Sequence, residues 1–380
     1  MKAYRPTLAV VLALAALLAG CGSDETSDSA SSGDTGTQEK TSAPKESKAV
    51  GETTGPAGEK ATPTADIKLT DDEIAQLKDG DHTAALVWHQ SSAFVSAVTQ
   101  GAKDEFARMG VKIVATTDAG FDAGKQKSDI ETVMAKKPDA IITLPVDPTI
   151  SAAALKPAVE AGTKVVLLSN VPKGFKHGED YTALVTDDLF SMGKQAADAM
   201  AAAIGGEGEV GYVFHDAEYY VTNQRDQAFK KTIEANYPDI KIVAEEGLAD
   251  PNKAEDIANA MVTKHPNLKG IYVTWVEPAE GVLTALRSSG ATDTKIVTLD
   301  LSEPAGLDLA RGGNVAALVA DQAYELGRAL AASAGYGILG KEAPEFAVAP
   351  AVTVTKDNLR EGWQRSLHRD PPKTVLEAAQ

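Results

Sequence analysis

An α/β fold of two doubly wound parallel-sheet lobes joined by a multi-strand hinge is what this sequence of 380 residues predicts. Three observations lead there. Short β-rich runs alternate with amphipathic stretches, the pattern of a parallel sheet covered by helices. The alternation runs once through "TAALVW", "VKIVAT", "DAIITL", "TKVVLLS" and "YTALVT", then restarts with "EVGYVFH", "IKIVAEEG", "KGIYVTW" and "KIVTLD". From residue 82 onward the chain has roughly 300 residues, enough for two cores. The first lobe is expected over 70–186 plus about 322–347, and the second over 187–321 plus about 348–356. Crossovers are expected near Thr186, Leu301 to Ser302 and Ala347, with a C-terminal extension at 357–380.

Before the first lobe the chain reads differently. Lys2 and Arg5 precede an apolar run from Leu8 to Ala19, shorter than the roughly 20 residues of a spanning helix. Residues 1–20 therefore read as a signal peptide. The sole cysteine, Cys21, follows Leu18, Ala19 and Gly20. This stretch resembles the lipobox of bacterial lipoproteins, which implies a diacylated sulfur and a tether to the outer face of the cell membrane. A lone thiol forms no intramolecular disulfide. Residues 21–69 are rich in Ser, Thr, Gly, Asp, Glu and Lys and lack aromatic residues. Such a segment buries too little apolar surface to offset its chain entropy and is expected to be a disordered linker.

Order is expected from "LTDDEIAQLK", where Thr70 and Glu73 make a capping box ahead of Ile74 and Leu77. The next helix places Val95, Val98, Ala102 and Phe106 on one face, with Lys103, Asp104 and Arg108 off it, and ends at Gly110. The formal charge of −17 opposes a broad anionic partner, so nucleic acid is not expected. Gly206, Gly208 and Gly211 have GxGxxG spacing but precede a strand rather than follow one, and "GFDAGKQ" is one residue short of a phosphate loop. No nucleotide cofactor is implied. His89 and His215 show no metal-ligand spacing, and there is no GxSxG elbow.

The order of "FVSAVTQGAKDEFARMGVKIV", "QKSDIETVMAKKPDAIITLPVDP", "AGTKVVLLSN", "NQRDQAFKKTI", "HPNLKGIYVTW" and "KIVTLDLSEP" resembles the type I periplasmic binding proteins, in their ribose-binding-like branch. The likeness runs from about Thr83 to Thr355. It implies a monomeric substrate-binding protein that closes on a small carbohydrate or polyol and delivers it to the permease of an ABC importer. By this resemblance Trp88, His89, Ser92 and Phe94 contact ligand, Arg225 binds hydroxyls, and Asp300 is a ligand-binding aspartate. Ser169 and Asn170 stand where ribose binders place Asp and Arg. Trp275 replaces an asparagine, Asp321 a glutamine and Ala249 an aromatic ring. The exchange of charged groups for Ser169, Asn170 and tryptophans points to a ligand with fewer hydroxyls than a hexose. Core or rim packing is the rival reading for Trp88, Phe94 and Trp275, and a surface ion pair is the rival for Arg225 and Asp300.

A sensory lipoprotein that presents its ligand to a receptor is the alternative, and an enzyme on the same fold is a third reading. Whichever holds, the anchoring is testable: Cys21→Ala should move the protein from the membrane pellet to the medium or soluble fraction, and retention in the pellet would refute lipid attachment.

Overall fold

The computed structural model describes residues 53–380. The expected signal peptide, Cys21 and the linker as far as residue 52 lie outside the described residues. Six strands come first: β1 (Thr62–Pro63), β2 (Thr83–Trp88), β3 (Lys112–Asp118), β4 (Ala140–Thr143), β5 (Lys164–Leu168) and β6 (Ala183–Asp187). Five follow: β7 (Gly208–His215), β8 (Ile240–Leu248), β9 (Leu268–Val273), β10 (Lys295–Leu299) and β11 (Val315–Ala320). The chain then returns through β12 (Phe346–Ala349) and β13 (Val352–Val354). One sheet has the order β1-β12-β6-β5-β4-β2-β3 and is parallel throughout. The other has the order β13-β11-β10-β9-β7-β8 and is parallel except for β13.

Helices fill the connections: α1 (Asp71–Asp79), α2 (Ala93–Met109), α3 (Ala123–Met134), α4 (Pro148–Glu160), α5 (Leu189–Ile204) and α6 (Tyr220–Asn236). They continue with α7 (Ala254–Lys264), α8 (Val276–Ser289), α9 (Glu303–Ala310), α10 (Ala323–Ile338), α11 (Leu359–Leu367) and α12 (Lys373–Ala378). The capping box at Thr70 forms in both directions, and Gly110 closes α2 at φ 74°. Val98, Ala102 and Phe106 are fully buried, while Lys103, Asp104 and Arg108 face solvent.

Three connections cross between the sheets. Asp188 follows β6 and caps α5, which packs on β9, β10 and β11. Gln322 follows β11 and leads into α10, which packs on α2, β4, β5 and β6. The third runs from β12 to β13. The crossover expected at Leu301 to Ser302 is not one of them. Ser302 accepts a hydrogen bond from Ala305 N and caps α9, which stays with β11 on the second lobe.

The linker also ends earlier than expected. Residues 53–69, read as disordered, are built onto the first lobe because β12 offers a free edge. Thr62 and Pro63 pair with Ala347 and Val348 there, and Ile67 and Leu69 enter the core. A polar composition hides this, since edge pairing draws on backbone groups rather than on apolar side chains. Thr53 is held at the start of α5: its Oγ1 donates to Asp188 Oδ1 at 2.5 Å and accepts from Phe190 N at 3.0 Å.

The C-terminal extension is folded and touches both lobes. α11 packs on β13 and also on α2 and α10, and α12 packs on α9. Trp363 is buried over Gly306, where an added Cβ would lie 2.6 Å from the indole. The His368 ring stacks on Tyr324 at 3.9 Å.

Helices α2 and α10 meet at two glycines: a Cβ on Gly101 would stand 2.0 Å from Tyr324 O, and one on Gly327 would stand 2.0 Å from Val98 O. Both obstacles are backbone and cannot swing aside. We therefore expect Gly327→Ala to cost about 1–3 kcal/mol of stability, seen as a lower Tm and denaturation midpoint.

Candidate ligand-binding site

In a doubly wound sheet the residues just beyond the strands' carboxyl ends are the ones free to meet a ligand. Here those ends face each other across a cleft of about 520 Å³, including its open mouth. The first lobe contributes His89 and Gln90 after β2, Ser92 and Phe94 at the start of α2, Phe121 after β3, Leu144 after β4, Ser169 after β5 and Asp187 at the end of β6. The second lobe contributes Tyr219, Val221, Thr222 and Arg225 around the start of α6, Trp275 and Glu277 after β9, Asp300 after β10 and Asp321 after β11.

Eight of the ten residues expected from the sequence therefore meet in one cavity: His89, Ser92, Phe94, Ser169, Arg225, Trp275, Asp300 and Asp321. Trp88 and Asn170 do not line it. Side chains alternate faces along extended chain, so neighbours such as Trp88 and His89 cannot both point into the cleft. Trp88 turns into the first-lobe core and is 2% exposed. Asn170 instead ties the lobes together: its Nδ2 donates to Pro145 O at 3.1 Å, and its Oδ1 accepts from Val221 N at 3.2 Å. Ala249 is exposed and away from the cavity. The tryptophan-rich, charge-poor pocket expected from the exchanges also gives way, because Asp187 and Glu277 bring in carboxyl groups that sequence reasoning did not assign.

The lobes are closed on one another by aromatic contact. Phe121 reaches out of the first lobe and lies parallel to Trp275 at 6.0 Å, with Tyr219 at 5.9 Å and His215 at 6.4 Å. On its own side it meets His89 edge-on at 5.5 Å. Phe121 sits at φ 64°, a left-handed conformation that a bulky residue seldom adopts, and its N donates to His89 O at 2.6 Å. Ser169 (φ 61°) and Asp300 (φ 70°) share that conformation, one at a strand end in each lobe. Backbone strain of this kind persists only where the surroundings over-determine it, as at binding sites.

Arg225 is the sole cationic side chain lining the cavity. Its Nη1 lies 3.6 Å from Asp300 Oδ1, and its Nη2 donates to Thr274 O at 3.4 Å. The next residue, Asp226, fixes the helix start by accepting from His215 N, Tyr272 Oη and Thr274 Oγ1. Burial works against the charge of Arg225, but Asp300, Tyr272, Asp226 and Asp187 outweigh it and raise its pKa. The carboxyl groups feel the opposite balance. Burial, opposed by Arg225 and reinforced by Asp300, pushes Asp187 up to about 8. Burial, and then Asp300, lifts Glu277 to about 7. Asp321 is raised well above the carboxylate range by burial and by its neighbours Asp187 and Asp300. Both histidines are lowered by burial to about 4. Several buried polar atoms have no partner within the protein: Asp187 Oδ1, Arg225 Nε, His89 Nδ1 and Tyr219 Oη. Burying such groups is costly unless something bonds to them.

These shifts set a pH dependence. A carboxyl group whose pKa is raised by folding stabilises the fold fully below its unfolded pKa, and that stability is lost as pH rises through the folded value. For Asp187 and Glu277 the loss extends up to about 8 and about 7 respectively. The histidines act in the other sense, since proton uptake around and below their ordinary value of 6.5 favours the unfolded chain. Between pH 6.5 and 8 the carboxyl loss outweighs the small gain as the unfolded histidines finish deprotonating, so the Tm of the ligand-free protein should fall across that window. Asp187→Asn should flatten the fall, and an equally steep fall in that variant would refute the assignment.

Comparison with known proteins agrees with the fold and the cleft. The periplasmic binding protein domain family matches residues 84–342. A ribose import binding protein of Bacillus subtilis is 26% identical over 262 residues, covering 68% of this chain and 82% of that protein. A xylitol-binding protein of Mycolicibacterium smegmatis is 26% identical over 280 residues, covering 71% and 76%. Among solved structures, an ABC transporter solute-binding protein from Mycobacterium smegmatis with bound glycerol superimposes with a TM-score of 0.65 at 26% identity, over 74% of this chain and 96% of that one. With two parallel-sheet lobes, a cleft at their strand ends and a family match over most of its length, this chain belongs to the periplasmic binding protein domain family.

Proposed function

We propose that this protein captures a small carbohydrate or polyol in the interlobe cleft and hands it, without turnover, to an ABC importer. It acts as a monomer, held at the extracytoplasmic face of a bacterial membrane by lipid on Cys21. One observation supports the reading above all. The Arg225–Asp300 pair, with buried donors and acceptors left unpaired around it, lines the same cleft as the Phe121 and Trp275 rings. Planar charged groups take hydroxyls, and flat rings take the C–H faces of a sugar or polyol. The names of the relatives, for ribose and for xylitol, support the same class. The Asn170–Val221 bond and the Phe121 contacts between lobes support a reading in which the lobes close on the ligand.

A thermal-shift screen of monosaccharides, deoxy sugars and polyols tests the class, with amino acids and nucleosides as controls. A ligand at 100 times its Kd should add about 2.7 kcal/mol of stability. Arg225→Ala should weaken the best ligand roughly thirtyfold or more, because it leaves Asp300 buried without its partner. A response to amino acids or nucleosides alone would overturn the class, and undiminished affinity in Arg225→Ala would overturn the site.

A further inference from the structure

The charge balance of the cleft points to something more specific than a sugar hydroxyl. Four carboxyl groups line it, Asp187, Glu277, Asp300 and Asp321, against the single guanidinium of Arg225. Asp300 is engaged by Arg225 at 3.6 Å. Asp187 is 2% exposed, lines the cleft and has an oxygen with no partner in the protein. Asp321 is equally buried, beside Asp187 and Asp300. A buried carboxyl gives up its proton readily only where a cation meets it, and the carboxylate then only accepts hydrogen bonds, so the group that fits several such oxygens at once is a cation with several N–H donors. The rings of Trp275, Phe121 and Tyr219 line the same cleft, and a cation is attracted to an aromatic face that it meets. A metal ion fits poorly: among the described residues no group of three or more His, Cys, Asp or Glu side chains could hold one.

We infer that the ligand carries a protonated amine beside its hydroxyls, as in an amino sugar or an amino polyol, with the ammonium against Asp187 and Asp321. This rests on the carbohydrate reading and narrows it. A neutral sugar would leave the excess carboxyl groups uncompensated unless they keep their protons. The buried Asp187 and Asp321 hold their protons more tightly than ordinary carboxyl groups, and an arriving ammonium would release them. Arg225 and Asp300 would remain to bind hydroxyls.

Isothermal titration at pH 7 with matched pairs tests this: D-glucosamine with D-glucose, D-galactosamine with D-galactose, and 2-aminopropane-1,3-diol with glycerol. We expect the amine of at least one pair to bind tenfold or more tightly than its neutral partner. We also expect proton release, read from titrations in buffers of different ionisation enthalpy. In Asp187→Asn and Asp321→Asn the ratio within the pair should fall toward one, with each variant's Tm confirming that it is folded. Neutral members that bind as well as or better than their amines would overturn the inference and leave the carbohydrate reading standing. A preference for amines that persists in both variants would overturn the placement of the ammonium. Failure of every panel member to bind, together with a response to amino acids or nucleosides in the screen above, would overturn both.

Discussion

A guanidinium buried among carboxyl groups constrains nearly everything in the cleft. Arg225 is 5% exposed, and a charge so removed from water is tolerated only with opposite charge and hydrogen bonds close by. The compensation comes from widely separated parts of the chain: Asp300 beyond β10, Thr274 beyond β9 and Asp187 at the end of β6. Each sits at a strand's carboxyl end, so the two sheets must present those ends to one another for the charge to be supported. Asp226, one residue on, locks the same helix start to β7 and β9 through three hydrogen bonds. The backbone follows suit, with Asp300 accepting a left-handed conformation to keep its side chain in the cleft.

The second organising contact is apolar and joins lobes rather than charges. Phe121 makes ring contacts with Tyr219, Trp275 and His215 of the other lobe. These contacts bury aromatic surface in the cleft that holds Arg225 and Asp300, where both Coulomb attraction and hydrogen bonds gain from the exclusion of water. Burial likewise lowers His89 and His215 to about 4, which leaves Arg225 as the cation of the cleft near neutral pH.

Much of this was legible in the sequence, for a definite reason. Parallel strands buried on both faces read as short apolar runs, and the rule of strand carboxyl ends turns those runs into an address for His89, Ser169, Trp275 and Asp300, whereas Arg225 and Asp321 came from the family resemblance. The misses have physical causes as well. Trp88 and Asn170 each neighbour a true lining residue, and the two-residue alternation of extended chain, which was available, would have sent one of each pair away. Asp187 was read only as part of a crossover, although it too ends a strand. Phe121 follows Gly120 in a polar turn, and nothing in its neighbourhood of sequence announces that it reaches across the cleft. The early end of the linker was hidden because edge pairing at Thr62 and Pro63 leaves no apolar signature.

The docking of Thr53 bears on mechanics. Its hydroxyl is held by Asp188 and Phe190, where the chain passes from β6 into α5 and so from one lobe to the other. The Tyr220 hydroxyl donates to the carbonyl of the next residue, Thr54, while Thr62 and Pro63 grip the sheet edge of the first lobe. A force on the backbone at Thr53 would thus act beside the β6–α5 crossover, with a shorter lever arm than the same force applied at the far end of either lobe.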